Sequence, residues 1–126
     1  MRIHESAENY LETILVLSQR KQFVRSIDIV NELNFSKPSV SIAMKHLREN
    51  GYIIMDEDGH ITLTVAGLEI ANKIYERHQL IAALLAKIGV EPEIAKEEAC
   101  RIEHDISQET FEKLKKWLCE NRIIEN

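Results

Sequence analysis

The stretch from residue 26 to residue 63 constrains the fold most strongly, because two short helical patterns there lead directly into a hairpin pattern. Ser26 is the predicted N-cap of the first helix, and Asn34, which tolerates the left-handed conformation, is predicted to end it. Ser36 is the predicted N-cap of the second helix, which runs to about Asn50. The inward-facing residues of the first helix are predicted to be Ile27, Val30 and Leu33.

The hairpin is predicted from two apolar runs, 52–55 and 60–63, on either side of an acidic segment that ends in Asp58-Gly59. An Asp-Gly pair between short apolar runs is a strong signal for a β-hairpin. A further amphipathic helix over residues 6–19, with Ser6 as its N-cap, precedes these elements. The resulting order of helix, helix, turn, helix and hairpin is that of a winged helix-turn-helix.

The second half of the chain carries helical patterns only. Thr64 is the predicted N-cap of a long helix over 65–88, Pro92 opens a helix over 93–105, and Ser107 caps a sixth helix. The residues that the sixth helix is predicted to bury are Phe111, Leu114, Trp117 and Leu118. We therefore predict a mostly α protein, with a winged helix-turn-helix domain over 1–64 and an all-helical domain over 65–126.

Composition narrows the class of protein further. The chain has a net charge of −5 and 44% hydrophobic residues, but no apolar run reaches the length of a membrane span. Its first twenty residues carry acidic side chains, unlike a signal peptide. We therefore expect a cytoplasmic protein without membrane association, in which Cys100 and Cys119 are reduced thiols.

Positive charge is concentrated in one segment of this acidic chain: residues 20–48 carry six basic side chains against Asp28 and Glu32. The helix that begins after Ser36 lies in this segment, and a helix N-terminus favours phosphate and fits the major groove of DNA. Ile42, on its outward side, suits contact with a thymine methyl group, although it could equally pack on the preceding helix. The predicted DNA-binding residues are Arg25, Ser36, Lys37, Pro38, Ser39, Ser41, Ile42 and Lys45.

The same features also have a simpler interpretation. The serines could merely cap and solubilise a surface helix, and winged helices also serve as protein-interaction modules. The acidic tip of the hairpin, formed by Asp56, Glu57 and Asp58, would repel phosphate. We expect this tip to lie at the edge of the groove or to point away from DNA.

Three residues with ligand-type side chains are spaced to share one helix face: Cys100, Glu103 and His104 stand at i, i+3 and i+4. A thiolate, a carboxylate and an imidazole together suit a divalent transition metal. His78 falls within the apolar stripe of the long helix, where an ionisable ring needs a partner or a metal. Taken singly, each residue has an ordinary alternative: a satisfied core histidine, a small buried cysteine, or a solvated Glu-His pair. A further supply of ligands is the polar flank of the first helix, Glu8, Asn9 and Glu12.

Longer segments carry a resemblance to a known family. The runs Glu98-Ala99-Cys100-Arg101-Ile102-Glu103-His104, Arg77-His78-Gln79-Leu80 and Glu8-Asn9-Tyr10-Leu11-Glu12-Thr13-Ile14 resemble the diphtheria toxin repressor family of metal-dependent transcriptional regulators. Residues 36–41 and 63–67 are similar to its recognition helix and to the join between its two domains. The resemblance implies a homodimer that binds double-stranded operator DNA when loaded with Fe(II) or Mn(II). It further implies repression of metal-uptake genes and no small-molecule substrate.

Carried over by position, the resemblance implies six metal ligands: Asn9, Glu12, His78, Cys100, Glu103 and His104. The set is a hybrid, because the iron branch has Cys at position 100 but Met at position 9, whereas the manganese branch has Glu and Asp there and matches Glu12. A thiolate favours Fe(II) or Zn(II) over Mn(II), so the choice between iron and manganese stays open. Ala82 and Lys96 replace further iron-branch ligands, so we expect no ancillary site. The end of the chain at Asn126 resembles the shorter, manganese-type architecture.

We hypothesise that the metal links the two predicted domains. Without it, Glu12 and Glu103 would repel each other. A cation would neutralise them and fix the first helix, which sets the distance between two recognition helices near the roughly 34 Å that separates half-sites. An enzyme with Cys100 as nucleophile and His104 as base would lack a third orienting residue, so we expect no enzymatic activity. A winged-helix regulator or interaction module without metal is the remaining alternative.

Overall fold

The computed structural model describes residues 5–123, with Glu5 described by its backbone alone. The contacts divide the chain into two compact units, one up to Asn72 and one from Lys73, and α4 contributes to both. None of the described helices is long and apolar enough to cross a membrane. The predicted mostly α fold is confirmed by the order of elements: α1 (Glu5–Arg20), α2 (Ser26–Leu33), α3 (Lys37–Glu49), β1 (Ile53–Met55), β2 (Ile61–Leu63), α4 (Val65–Lys87), α5 (Pro92–Ile102) and α6 (Gln108–Glu120).

The first unit is built around α1, which packs against α2, α3 and β2. The α3 helix also packs on α2 and β1, and it buries only the stripe of Val40, Met44 and Leu47. The outer faces of α3 are therefore left exposed to solvent. The side chains at the centre of this unit are Leu11, Ile14, Ile29, Val40, Met44 and Ile53.

The turn between α2 and α3 forms as predicted. Asn34 adopts the left-handed conformation with φ 56°, and the Ser36 hydroxyl accepts a hydrogen bond from the Ser39 amide at 3.2 Å. Pro38 lies in the first turn of α3, where a missing amide costs no intrahelical bond. These local signals fix where α3 begins and which of its side chains point outward.

Two of the predicted N-caps are wrong. The N-cap of α2 is Arg25 rather than Ser26, because the Arg25 amide donates to the Asp28 carboxylate at 2.9 Å. This bond from the cap to the third helical residue anchors the helix end without a serine hydroxyl. Ser6 lies inside α1, which already includes Glu5, and the residues before Glu5 lie outside the described part of the chain.

The inward face of α2 differs from the predicted one. Ile29 is fully buried and Val30 and Leu33 are partly buried, whereas Ile27 is 44% exposed. At 3.6 residues per turn, Ile27 lies about 160° around the helix from Ile29. The periodic pattern alone did not indicate which of the two isoleucines faces the core.

The predicted hairpin forms a two-stranded antiparallel sheet, in which Ile53 lies opposite Leu63. The Ile61 amide donates to the Val24 carbonyl at 2.7 Å, which ties the sheet to the segment between α1 and α2. At the start of α4, a Cβ atom on Gly67 would lie 2.1 Å from the carbonyl oxygen of Tyr52. Only glycine therefore permits this close approach of helix and hairpin.

The second unit contains the rest of α4 together with α5 and α6. Its core is formed by Leu80, Ile81, Ala99, Phe111 and Leu118. Trp117, predicted to be buried, is instead 53% exposed. The reason is helical geometry, because Trp117 lies about 120° around α6 from Phe111 whereas Leu118 lies nearly in line with it.

The α5 helix ends at Ile102, three residues earlier than predicted. Glu103 is its C-cap and keeps a helical backbone, with φ −57° and ψ −25°. Arg77 Nη1 donates to the carbonyl oxygens of Glu103 at 3.1 Å and of Ile106 at 2.8 Å. These carbonyl groups are therefore satisfied by a side chain of α4 rather than by another turn of helix.

Candidate metal centre and DNA-binding surface

Side chains from α4 and from the end of α5 converge in the second unit. His78 Nδ1 lies 3.0 Å from Glu103 Oε2 and 3.6 Å from Cys100 Sγ. One ligand-type atom of each of these residues lies within 4.8 Å of the other two. The structure thus brings together three of the six predicted ligands, and their role in metal binding stays a prediction.

Local geometry explains why these three side chains meet. Cys100 and Glu103 are three residues apart, and the helical backbone of Glu103 keeps both on one side of α5. Glu103 is fully buried, the His78 side chain is 20% exposed and Cys100 is exposed. The group therefore has a buried carboxylate at its base and a thiol at its rim.

The other three predicted ligands lie outside the group formed by His78, Cys100 and Glu103. His104 Nε2 lies 3.4 Å from Glu103 Oε1, and its side chain is only 1% exposed. It is a neighbour of the His78–Cys100–Glu103 group rather than a member of it. Asn9 and Glu12 lie on α1 in the first unit, where Glu12 is buried and Asn9 is partly buried. For all three residues, metal binding stays a prediction.

The electrostatics of the group centre on His78. Hydrogen bonds with Cys100 and then with Glu103 raise its pKa to about 10, against the opposing effect of burial. A proton on Nδ1 is therefore shared between a sulfur and a carboxylate oxygen. The same ring nitrogen would ligate a cation held between these two groups.

The chemistry of the group fits a divalent transition metal. Glu103 Oε1 is buried and has no hydrogen-bond partner among the described residues. His104 Nε2 lies within ion-pair range of this oxygen but does not form a hydrogen bond with it. Leaving a buried carboxylate oxygen unsatisfied costs free energy that a cation would offset. Sulfur, nitrogen and oxygen donors together suit Fe(II), Zn(II) or, less well, Mn(II).

A second group of ligand-type residues, Asp56, Asp58 and His60, lies in the hairpin. Here the atoms are already engaged: Asp56 Oδ1 accepts from the amides of Asp58 and His60, both at 2.9 Å, and Asp56 Oδ2 lies 3.2 Å from His60 Nδ1. The bond from the His60 amide is the main cause that lowers the pKa of Asp56. This group builds the turn of the hairpin.

The acidic hairpin also holds one of the predicted DNA-binding residues. Arg25 Nε donates to the Asp58 carbonyl at 3.2 Å, and Arg25 Nη2 lies 2.8 Å from His60 Nε2. Because arginine only donates, His60 Nε2 accepts and the ring proton sits on Nδ1, facing Asp56. The hairpin tip, expected to repel phosphate, therefore engages two of the five N–H groups of an exposed arginine.

All eight predicted DNA-binding residues are exposed, and seven of them lie at Ser36 or on α3. The two acidic residues of the basic segment pair with the basic residues at its start, Glu32 with Arg20 at 3.1 Å and Asp28 with Lys21, rather than with residues of α3. Arg48 was not among the predicted DNA-binding residues, yet it lines a cavity of about 260 Å³ beside α3 together with Ser41, Ile42 and Lys45. Its place among the basic residues of 20–48 was the available signal.

Two family models match the chain over most of its length. The model described as "Iron dependent repressor, N-terminal DNA binding domain" matches residues 2–61, and "Iron dependent repressor, metal binding and dimerisation domain" matches residues 64–121. The chain belongs to the diphtheria toxin repressor family. The resemblance inferred from the sequence is thereby confirmed, and the chain is a metal-dependent transcriptional regulator, from a family of repressors rather than enzymes.

Individual relatives agree with this assignment. The transcriptional regulator MntR of Salmonella typhimurium is 35% identical over 108 residues, which cover 86% of this chain and 69% of MntR. The HTH-type transcriptional regulator MJ0568 of Methanocaldococcus jannaschii is 34% identical over 88% of this chain and 90% of its own length. The solved structure of the manganese regulator SloR superimposes with a TM-score of 0.80 at 29% identity, covering 94% of this chain. This chain spans about half, 54%, of that solved chain.

Proposed function

We propose that this protein is a repressor that binds operator DNA as a homodimer when His78, Cys100 and Glu103 hold Fe(II) or Mn(II), and that it controls metal-uptake genes. The observation that carries the proposal is the fully buried Glu103 carboxylate: its Oε2 contacts the His78 imidazole, which also contacts the Cys100 thiol, and its Oε1 is unsatisfied. A carboxylate in this state favours the binding of a cation. Family membership supports the link from that cation to DNA binding.

Each residue of the group would contribute in its own way. His78 would release to solvent the proton that it shares with Cys100 and Glu103, Cys100 would lose its thiol proton to solvent and bind as thiolate, and Glu103 would contribute negative charge from the buried side. The bound cation supplies positive charge that neutralises the thiolate and the carboxylate. The thiolate favours Fe(II) over Mn(II), and we retain Asn9, Glu12 and His104 as further predicted ligands.

On the DNA side, we propose that α3 enters the major groove with its N-terminus first. Ser36, Lys37 and Ser39 would approach the phosphates, while Ser41, Ile42 and Lys45 would face the base edges. Arg25, held by the hairpin, would contact the backbone beside the groove. Repetition of this arrangement in a dimer would match two half-sites about 34 Å apart.

The dimer contact would lie on the second unit, where the matched family model includes dimerisation. Exposed apolar side chains of this unit offer a surface for it, and they are Ile88, Ile94, Ile102 and Trp117. Burial of such residues would provide the hydrophobic free energy that stable association requires.

The test is DNA binding with and without metal. A duplex is first selected from a random library by the protein in Mn(II) or, under anaerobic conditions, in Fe(II). Its affinity is then measured by fluorescence anisotropy after removal of metal with EDTA and after separate return of Fe(II), Mn(II) and Zn(II). We expect the affinity to fall by about 10- to 100-fold without metal, in line with usual allosteric couplings. Affinity that is unchanged by EDTA would show a metal-independent regulator.

A further inference from the structure

We propose that Arg77 is a positioning residue for the metal centre: its buried guanidinium fixes the backbone of Glu103 and thereby the direction of the Glu103 carboxylate. The inference rests on the proposed metal-binding function of His78, Cys100 and Glu103. In this proposal, Arg77 does not contact the metal itself but acts through Glu103, which would bind it.

The contacts of Arg77 join three parts of the second unit. Its side chain comes from α4 and is buried, with the residue only 6% exposed. Nη1 donates to the carbonyl oxygens of Glu103 at 3.1 Å and of Ile106 at 2.8 Å, and Nη2 donates to Gln108 Oε1 at 3.0 Å. One guanidinium thus holds the end of α5, the connection after it and the start of α6.

Glu103 needs such a restraint because of where it stands. It is the C-cap of α5, and the last carbonyl groups of a helix have no intrahelical donors, so helix ends fray. The Arg77 bond supplies the missing donor at the Glu103 carbonyl itself. A backbone held there limits the positions that the Glu103 carboxylate can reach beside His78.

The chemistry of arginine suits this task better than that of lysine or of an apolar residue. A planar guanidinium reaches several acceptors in fixed directions, whereas an ammonium group is a single point charge. The guanidinium carbon also lies 5.3 Å from the centre of the Phe111 ring, so the core holds it from one face. Both the orientation and the position of the guanidinium are therefore fixed before any cation binds.

The cost of burying Arg77 indicates that it does more than fill the core. Its Nε atom is buried and has no hydrogen-bond partner among the described residues. Replacement of a buried ionic group by a well-packed apolar residue is often neutral or stabilising. A cation kept here, one residue before His78 and bonded to the backbone of Glu103, is therefore better explained by the geometry of the site than by stability.

The experiment compares Co(II) binding by the intact wild-type protein with binding by Arg77→Met, Arg77→Lys and Gln108→Ala. Affinity is measured by competition with a chelator, and coordination by the absorption spectrum of bound Co(II). We expect Arg77→Met to weaken Co(II) binding by about 10- to 100-fold, the usual cost of losing a residue that orients a ligand. The Lys variant should fall between wild type and Met, and the Gln108 variant, which loses one anchor of the guanidinium, should show the smallest loss.

The spectrum separates positioning from general damage. The charge-transfer band of the Cys100 thiolate should persist in Arg77→Met, while the ligand-field bands should change because Glu103 coordinates less well. Leu118→Ala is the matched control, since Leu118 is fully buried in the same core. It should lower the melting temperature of the metal-free protein and leave both Co(II) affinity and spectrum as in wild type.

Each outcome bears on a different statement. Wild-type protein that binds no Co(II) would overturn the proposed function itself. A folded Arg77→Met protein with wild-type affinity and spectrum would overturn the role of Arg77, as would an equal loss of affinity in Leu118→Ala. If Arg77→Met does not fold, the Lys and Gln108 variants decide, and wild-type binding by both would refute the inference.

Discussion

His60 and His78 both lie among ligand-type side chains that include carboxylates, and the two groups differ in which of their atoms lack a hydrogen-bond partner. His60, in the hairpin, has partners at both ring nitrogens, and its neighbour Asp56 accepts two amide hydrogen bonds at one oxygen. His78, on α4, faces a thiol and a fully buried Glu103 carboxylate that has one unsatisfied oxygen. Both groups place ligand-type atoms within 4.8 Å of one another.

The difference shows that residue types and distances alone do not define a metal site. In the hairpin, the carboxylate is exposed and its charge is used by backbone amides, so a cation would have to displace existing bonds. In the second unit, the carboxylate is out of water and its Oε1 atom has no hydrogen-bond partner among the described residues, so a cation would supply what is missing. A buried ligand-type atom without a hydrogen-bond partner is thus a better criterion for a metal site than residue types and distances alone.

The largest expected effect comes from neutralising one carboxylate in each group. Glu103→Gln should weaken Mn(II) or Co(II) binding by at least about 100-fold, because it removes both a ligand and the charge that favours the cation. The matched variant Asp56→Asn keeps an acceptor for the amides of the turn and should leave metal affinity unchanged. Titration calorimetry on the two variants and the wild type measures both effects.

Two results would contradict this comparison. Equal losses in the two variants would place metal binding in both groups, and an unaltered affinity in Glu103→Gln would exclude Glu103 as a ligand. In the second case, the unsatisfied oxygen would have to be explained by a structural role.

The next expected effect is on the pH dependence of metal binding. Because Cys100 and Glu103 raise the pKa of His78 to about 10, the metal-free ring carries a proton at neutral pH, and metal binding must release it. Affinity for Co(II) should therefore fall by at least about tenfold for each pH unit of acidification, or by at least roughly 100-fold from pH 8 to pH 6, and by more where the Cys100 thiol also releases its proton. Calorimetry in buffers of different ionisation enthalpy counts the released protons.

The stability of the metal-free protein should depend on pH in the opposite direction: it should fall as the pH rises, whereas the affinity for Co(II) should rise. A raised folded-state pKa stabilises the fold below the ordinary histidine value of 6.5, and this contribution is lost as the pH rises through about 10. Unfolding in urea between pH 6 and pH 10 measures it, and His78→Asn should remove this part of the dependence. A wild-type slope in His78→Asn would contradict this assignment.

Much of the fold could be predicted because its decisive signals are local. Asn34, Ser36 and Thr64 act within three or four residues of themselves: the Thr64 hydroxyl, for instance, accepts from the Gly67 amide at 3.2 Å. The Arg25 cap of α2 was missed because it depends on the pairing of a backbone amide with Asp28. Arginine carries no side-chain acceptor that would mark it as a cap.

The candidate metal centre was predictable in part for the same reason. The spacing of Cys100 and Glu103 is local, and the place of His78 in an apolar stripe indicated an unusual need for a partner. The proposed role of Arg77 was not predictable from spacing, because its acceptors lie 26 to 31 residues further along the chain. The one sequence signal for this role was the position of Arg77 on the inner side of α4, three residues after Ile74 and four residues before Ile81.

The smallest expected effect concerns the hairpin and sharpens the other side of the comparison. If His60 serves to hold Arg25 against DNA, His60→Ala should weaken operator binding about three- to tenfold, the value of one hydrogen bond, and leave metal affinity unchanged. In an Arg25→Ala background the same substitution should have almost no further effect, because the residue that it positions is gone. Fluorescence anisotropy measures the operator affinity of the four proteins in this double-mutant cycle: wild type, His60→Ala, Arg25→Ala and the double variant. Additive losses would show that His60 acts on DNA independently of Arg25, whereas a loss of metal affinity in His60→Ala would end the distinction between the two histidine groups.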